Sequence, residues 1–488
     1  GQRRRSNRPG NSQAKGPITC NYSEELLACF VCQRTEGASG ALLKRIVNLS
    51  GPEQRGRPIH VSSCDLHGRA PTPDVFESSF VMNHMKTIAV IGGGITGVTT
   101  AYALAKRGFT VTLFERHRYA AMETSFANGG QLSASNAEVW THWSTIVKGL
   151  KWMLNRNAPL LVNPAPTWHK LSWFAEFIAA MPHYERNTIA TARMAVAARQ
   201  HLFAWAQDEG IDFDLKQQGI LHIYRDKKGF DHAGRVSLML AKGGLPRRAV
   251  TPQEMKAIEP TLAGNYYGGY FTESDSTGDI HKFTHGLALA AERLGVRTLY
   301  GQDVKSVQSD GKKAIVVTAA QDDAPGDVQS FDGIVVCAGV ASRNLAAQLG
   351  DRVNIYPVKG YSITVNLNDE QSQAGAPNVS LLDDETKLVT SRLGVNRFRV
   401  AGTAEFNGVD YDIRADRIKP LIDWVAQCFP NIDTRSVVPW AGLRPMMPNM
   451  LPRVGRGRAA NVFYNTGHGH LGWTLSAITA DMVGNVVV

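Results

Sequence analysis

Lys86-Thr87-Ile88-Ala89-Val90-Ile91-Gly92-Gly93-Gly94-Ile95-Thr96-Gly97 is the stretch from which the fold is read. Its first half is a short apolar run rich in β-branched residues, as in a strand buried on both faces. Glycines then occupy all three positions of a GxGxxG motif: Gly92, Gly94 and Gly97. With 46 glycines in 488 residues, about 0.4 such matches arise by chance, so the motif needs its context. That context is present. Ile95, Val98, Tyr102 and Ala105 share one helical face, and Lys106-Arg107-Gly108 is a basic last turn followed by a stop. Thr110 to Phe114 is a second strand, and Glu115 stands at its end. The spacing predicts a dinucleotide-binding βαβ unit. Gly92 permits the tight turn, Gly94 lets the backbone of Ile95 and Thr96 approach a pyrophosphate, and Gly97 allows close helix–strand contact. Glu115 is placed to accept from both ribose hydroxyls.

Outward from this unit the pattern changes. Residues 150–290 carry a Trp-rich stretch, an amphipathic helix near Thr188 to Gln207, and short strands near Gly219 to Tyr224 and Tyr266 to Phe271. Strand-like runs return at Val296 to Tyr300, Ala314 to Thr318 and Gly333 to Cys337, and a β-rich stretch spans Tyr356 to Ala404. The fold class is therefore α/β, α+β overall. A Rossmann-like domain (85–150, 286–350 and 440–488) is expected to carry an inserted domain (151–285 and 351–439) on a mostly antiparallel sheet. A second glycine loop, Gly467-His468-Gly469-His470-Leu471-Gly472, follows the strand-like Asn461 to Asn465 and precedes a helical run from Trp473 and Thr474. Sixteen residues follow it, too few for another βαβ unit, which suits the other end of the same dinucleotide.

Composition sets the outer bounds. The chain is 43% hydrophobic and 20% charged with 22 prolines, which excludes collagen, coiled coil and a wholly disordered chain. No run approaches eighteen consecutive apolar residues. Of the formal charge of +10, residues 1–84 hold 11 Lys and Arg against 7 Asp and Glu. Beyond Arg3, Arg4, Arg5 and Arg8 there is no concentrated basic patch, so nucleic acid is not an expected partner. Cys20, Cys29, Cys32 and Cys64 lie in that segment, while only Cys337 and Cys428 lie beyond it, as in a protein of a reducing compartment. Cys29-x-x-Cys32 has no second close pair, so no metal site is expected. Residues 1–84 are expected to be a poorly ordered leader or extension upstream of a start at Met85.

Five motifs occur in order: Gly92-Gly93-Gly94-Ile95-Thr96-Gly97; Glu123-Thr124-Ser125-Phe126-Ala127-Asn128-Gly129-Gly130-Gln131; Pro357-Val358-Lys359-Gly360-Tyr361-Ser362; Gly442-Leu443-Arg444-Pro445; and Asn465-Thr466-Gly467-His468-Gly469 through Trp473-Thr474. Together they resemble the bacterial D-amino acid dehydrogenases of the FAD-dependent D-amino acid/glycine oxidase superfamily, from Met85 to Val488. The resemblance implies FAD as cofactor, with Glu115 and Arg116 at its adenosine and Ser125, Asn128, Gly129 and Gln131 along pyrophosphate and flavin. It also implies contacts from Val304, Ala338 and Gly339 near the dinucleotide, and from Gly467, His468, Gly469, Leu471, Gly472, Trp473 and Thr474 at the flavin end. Position 126 is Phe where some covalent relatives have His, and no cysteine follows Arg444, so attachment is expected to be noncovalent.

Three residues are implied to meet the substrate. Arg444 suits a bidentate clamp on an amino-acid carboxylate. Tyr361 offers a hydroxyl to the substrate cavity, and His470 stands where some relatives place a second arginine. The implied reaction is oxidative deamination of small, D-alanine-like D-amino acids to 2-oxo acids and ammonia, with reoxidation by a quinone or other acceptor. A cytoplasmic enzyme, peripheral on the cytoplasmic face of the inner membrane, goes with that resemblance. Two rival readings remain at this point: an oxidase or dehydrogenase of secondary amines such as glycine, sarcosine or proline, and a flavin-binding electron-transfer subunit without amine chemistry.

Overall fold

The glycine-rich turn sits at the centre of a six-stranded sheet. In the computed structural model, which describes residues 86–152, 159–319 and 326–488, β1 (Thr87–Ile91) leads through the turn into α1 (Ile95–Ala105) and on to β2 (Thr110–Glu115). β1 pairs in parallel with β2 on one side and with β3 (Gly333–Val336) on the other. Both faces of this sheet are covered, and Ile88, Val90, Leu113, Ile334 and Val336 are fully buried. α1 runs to its expected end, where Lys106 caps it and Gly108 turns back with φ +85°. The strand Arg297–Tyr300 extends the sheet beyond β2. These elements make the Rossmann-like layer, and the expected extension of residues 1–84 lies outside the described residues.

A nine-stranded, mostly antiparallel sheet forms the second layer. Its core is β4 (Tyr356–Asn366), held between β5 (Arg397–Phe406) and β6 (Val437–Met446). The β-rich stretch after Tyr356 and the strands Ile220–Tyr224 and Gly268–Thr272, from the middle of the chain, all join this one sheet. The chain then returns to the first layer: β7 (Val462–Thr466) pairs in parallel with β3, and α2 (Gly472–Val487) packs on α1. Two expected boundaries are displaced. Position 440 falls inside β6, whose whole length belongs to the large sheet, and 286 falls inside the helix Ile280–Arg293, which packs on α1. Pro439, Gly442 and Pro445 hide β6 from a periodicity reading, although the strand pairs with β4 over ten residues.

Candidate active site

Between the two layers lies a cavity of about 800 Å³, within the range of cofactor and ligand sites. At one end β1 turns at Gly92, whose φ is +107° and whose added Cβ would sit 2.8 Å from the Cys337 carbonyl oxygen. Gly97 does not line the cavity; a Cβ there would come within 1.7 Å of the Gly92 carbonyl oxygen, so its role is to let α1 meet the loop. Gly94 borders open space instead, with Ser125 Oγ the nearest atom at 3.6 Å from an added Cβ. The Ile95 amide is capped from another loop, donating to Ser125 Oγ at 3.0 Å. The Glu115 carboxylate accepts from the amides of Gly93 at 2.7 Å and His117 at 2.8 Å. Burial raises its pKa, and those amides work against the rise. Arg116, beside it, is paired with Glu123.

The loop 123–131 is fastened to the large sheet from several directions. Thr124 Oγ1 donates to the Leu443 carbonyl at 2.8 Å, Ser362 Oγ to that of Ala127 at 2.8 Å, and Ser391 Oγ to that of Gly129 at 2.6 Å. Asn128 Oδ1 accepts from the Gly130 amide at 2.9 Å, which closes a tight turn with Gly130 at φ +66°. Gln131 is the informative residue. Its Nε2 faces the carbonyl oxygens of Leu381 at 3.0 Å and Thr390 at 3.3 Å, which fixes the amide orientation. Its Oε1 is then left buried without a partner among the described residues.

The second glycine loop closes the cavity opposite. Gly467 and Gly469 have φ of +77° and +59°. The ring of His468 turns inward, with Nε2 3.0 Å from Thr479 Oγ1 on α2, and burial lowers its pKa to about 3. The loop therefore uses His468 as a neutral brace. Thr474 Oγ1 accepts from the Ser133 amide at 3.3 Å, and the Trp473 indole is buried with Nε1 unpartnered among the described residues. Val304, Ala338, Gly339, Leu471 and Gly472 all line the same cavity.

Arg444 lies on β6 opposite Val358, and its side chain crosses β4 directly over Gly360. A Cβ on Gly360 would come within 2.2 Å of Arg444 Nη1, so the glycine in Lys359-Gly360-Tyr361 makes the room for the guanidinium. Beyond it, Thr403 and Ala404 of β5 stand against the single residue Gly360, a β-bulge with Thr403 at φ +55°. Positive φ in a β-branched residue is strained. The bulge presents two backbone carbonyls, and Arg444 donates to Thr403 O at 2.8 Å and to Gly402 O at 3.4 Å. Among the described residues no carboxylate pairs with Arg444. Burial alone pulls its pKa down to about 10.

Tyr361 departs from the expectation of a hydroxyl in the cavity. β4 is an interior strand, and Tyr361 Oη donates to Glu405 Oε2 at 2.7 Å inside a cluster with Lys359 and Arg414. Alternation along the strand sends the side chain away from the guanidinium over Gly360. Tyr361→Phe is expected to cost about 1.5–3 kcal/mol of stability, because a buried carboxylate loses a hydrogen bond. Its kcat/KM should fall far less than on loss of Arg444, which thermal melts beside steady-state rates will show.

His470 stacks on Trp140, with ring centroids 5.0 Å apart and planes 14° from parallel. Its Nε2 is 3.2 Å from the Asn136 carbonyl oxygen, so Nε2 carries the hydrogen and Nδ1 the lone pair. That Nδ1 is buried and unpartnered among the described residues. Burial and the nearby Arg444 charge lower the His470 pKa to about 4, leaving a neutral ring. The turn that carries Asn136 is held by Asp275, which accepts from the amides of Ala134 at 3.1 Å and Ser135 at 3.0 Å and pairs with Arg199 at 2.6 Å. Trp140, Asn136, Gly360 and the Thr403 bulge are site residues that sequence reading did not single out; Gly360 alone carried a signal, as a glycine inside a strand.

A cleft faced by two glycine loops, with buried acceptors left unpaired among the described residues, suits a flavin-dependent oxidoreductase. The chain belongs to the FAD-dependent oxidoreductase family called DAO, whose model matches residues 87–485. It is 61% identical over 403 residues to "D-amino acid dehydrogenase 3" of Mesorhizobium japonicum, covering 83% of this chain and 97% of that protein. A D-amino acid dehydrogenase of Paramagnetospirillum magneticum is 40% identical, covering 82% and 94%. Among solved structures, glycine oxidase from Geobacillus kaustophilus (TM-score 0.64, 21% identity, 82% and 94% covered) and L-proline dehydrogenase from P. horikoshii (TM-score 0.65, 18% identity, 83% and 94% covered) share the fold.

The residues present fit FAD. The glycine loop and the α1 N-terminus suit a pyrophosphate, Glu115 and Arg116 line the same end of the cavity and would border an adenosine there, and the orphaned Gln131 Oε1 needs a donor that no described residue supplies.

Proposed function

We propose that this protein oxidises D-amino acids to 2-oxo acids and ammonia and passes the electrons to an acceptor other than oxygen. The observation that carries the reading is Arg444: a half-buried guanidinium in the cavity, tied to two carbonyls and, among the described residues, to no carboxylate. An uncompensated buried cation is costly unless a ligand supplies the anion, and an α-carboxylate matches the planar fork. The 61% identity to a D-amino acid dehydrogenase supports D-amino acids over the secondary amines of the fold neighbours.

FAD, when bound, would supply the two-electron acceptor for oxidation of the substrate Cα–H bond. Gly92, Gly94, Ser125, Asn128, Gly129, Gln131 and the 467–474 loop would hold it, noncovalently. Arg444 fixes the carboxylate, and with it the direction of Cα. His470 stays neutral and keeps an acceptor lone pair beside the clamp, suited to an amine N–H. Overall, substrate and water give 2-oxo acid and ammonia, with two electrons and two protons leaving to the acceptor.

A quinone in a membrane is the acceptor we infer. No helix among the described residues is long and apolar enough to cross a membrane. Two helices, Trp143–Trp152 and Trp168–Ala179, send Trp173 and Phe177 into one core cluster and pack the half-buried Ile146 against it, yet leave Trp143, Val147, Trp168, Leu171 and Ile178 exposed. Such a surface suits contact with a lipid interface from the cytoplasmic side. Formation of 2-oxo acid from D-alanine and L-alanine, with oxygen, a soluble quinone or a dye as acceptor, tests the reading. Turnover of the D-isomer with quinone or dye and little with oxygen is expected; oxygen as the best acceptor would overturn the dehydrogenase assignment.

A further inference from the structure

The cavity continues past His470 to a charged end that the reaction itself does not use. Trp140 lies flat against the His470 ring, and two residues before it Glu138 lines the same cavity, while Val139 between them turns into the core. Glu138 Oε1 accepts from Tyr184 Oη at 2.5 Å and lies 3.2 Å from His232 Nε2. Both groups meet the same oxygen of the carboxylate. Lys387 and Asp384, also lining the cavity, form an ion pair at 2.5 Å. Arg444 and Lys387 both act electrostatically on His470, so this end and the carboxylate clamp both lie near that ring.

Glu138 brings a carboxylate to this end of the cavity, beside the Asp384–Lys387 ion pair. Burial pushes the Glu138 carboxyl up, but His232, Tyr184 and the Lys387 charge outweigh it and hold the group below its ordinary value. An aliphatic side chain would leave this carboxylate partly desolvated and unmatched. A chain with an apolar stem and a cationic tip would lay the stem on Trp140 and bring the tip to Glu138.

We infer that the side-chain subsite takes D-amino acids with a cationic, hydrogen-bond-donating end group, Trp140 receiving the stem and Glu138 the cation. This rests on the D-amino acid reading above. D-lysine and D-norleucine, which have the same chain length with and without the ammonium, test it in the wild-type holoenzyme. A kcat/KM about tenfold or more higher for D-lysine is expected, and Glu138→Gln should bring that ratio towards one while flavin absorbance is kept. Equal or faster oxidation of D-norleucine, preference for D-glutamate, or a ratio untouched by Glu138→Gln would overturn the assignment. Should Glu138→Gln fail to fold, the wild-type ratio alone decides. Oxidation of sarcosine or L-proline with no D-amino acid turned over would instead refute the D-amino acid reading, and the subsite with it.

Discussion

Arg444→Met is expected to abolish most turnover without harming the fold. Two charge-assisted hydrogen bonds to a carboxylate, each worth about 1.5–3 kcal/mol, correspond to a loss of roughly 10²–10⁴ in kcat/KM. Stability should move the other way or stay level. The guanidinium is half-buried with no carboxylate among the described residues, and burial alone depresses its pKa, so an apolar replacement of similar length relieves a desolvated charge. The opposing term is the loss of its hydrogen bonds to Thr403 O and Gly402 O. A variant with intact flavin spectrum, unchanged or raised Tm and little activity is the expected outcome, read by absorbance, thermal melt and initial rates. Near-normal kinetics would show that Arg444 does not hold the substrate carboxylate.

Gly97→Ala should remove the cofactor rather than the chemistry. Its new Cβ would lie 1.7 Å from the Gly92 carbonyl oxygen and 3.4 Å from Cys337 Cβ, and both partners stand just past the ends of β1 and β3. Relief requires α1 to move away from β1, which tilts the helix amides off the phosphate position. Overpacking of this kind costs about 1–3 kcal/mol or more, and retention of FAD should weaken by roughly tenfold to a hundredfold. The ratio of flavin to protein absorbance after gel filtration measures it directly. Gly108→Ala, at the far end of α1 with nothing within 4 Å of its added Cβ, is the matching control for strain at positive φ without a clash.

The parts legible in the sequence share one property: their signal is local. Ile88 to Ile91, Gly92 to Gly97 and Glu115 lie within one supersecondary unit, and strand, turn and helix each carry their own chemistry. Strands such as Ile220–Tyr224, Ala314–Thr318 and Gly333–Val336 were likewise readable from short apolar runs. What was hidden depends on partners far along the chain. Arg444 was legible as a residue, but not as a side chain crossing Gly360 to a bulge at Thr403, because the bulge exists only in the pairing of β4 with β5. The hydroxyl of Tyr361 pointed to a cavity when read alone, whereas Glu405, 44 residues later, claims it. Glu138 and Trp140 sit in a segment without periodicity, and only the folding of the 467–472 loop against it gives them a place in the cavity wall.

The central claim is that the clamp built on Arg444 presents the Cα of a D-amino acid for oxidation. Anaerobic mixing of the holoenzyme with D-alanine, D-lysine, sarcosine or L-proline, followed at the flavin absorbance band, tests it most directly. Bleaching by the two D-amino acids, and slow or absent bleaching by the secondary amines, is the predicted result; bleaching by sarcosine or L-proline alone would contradict it.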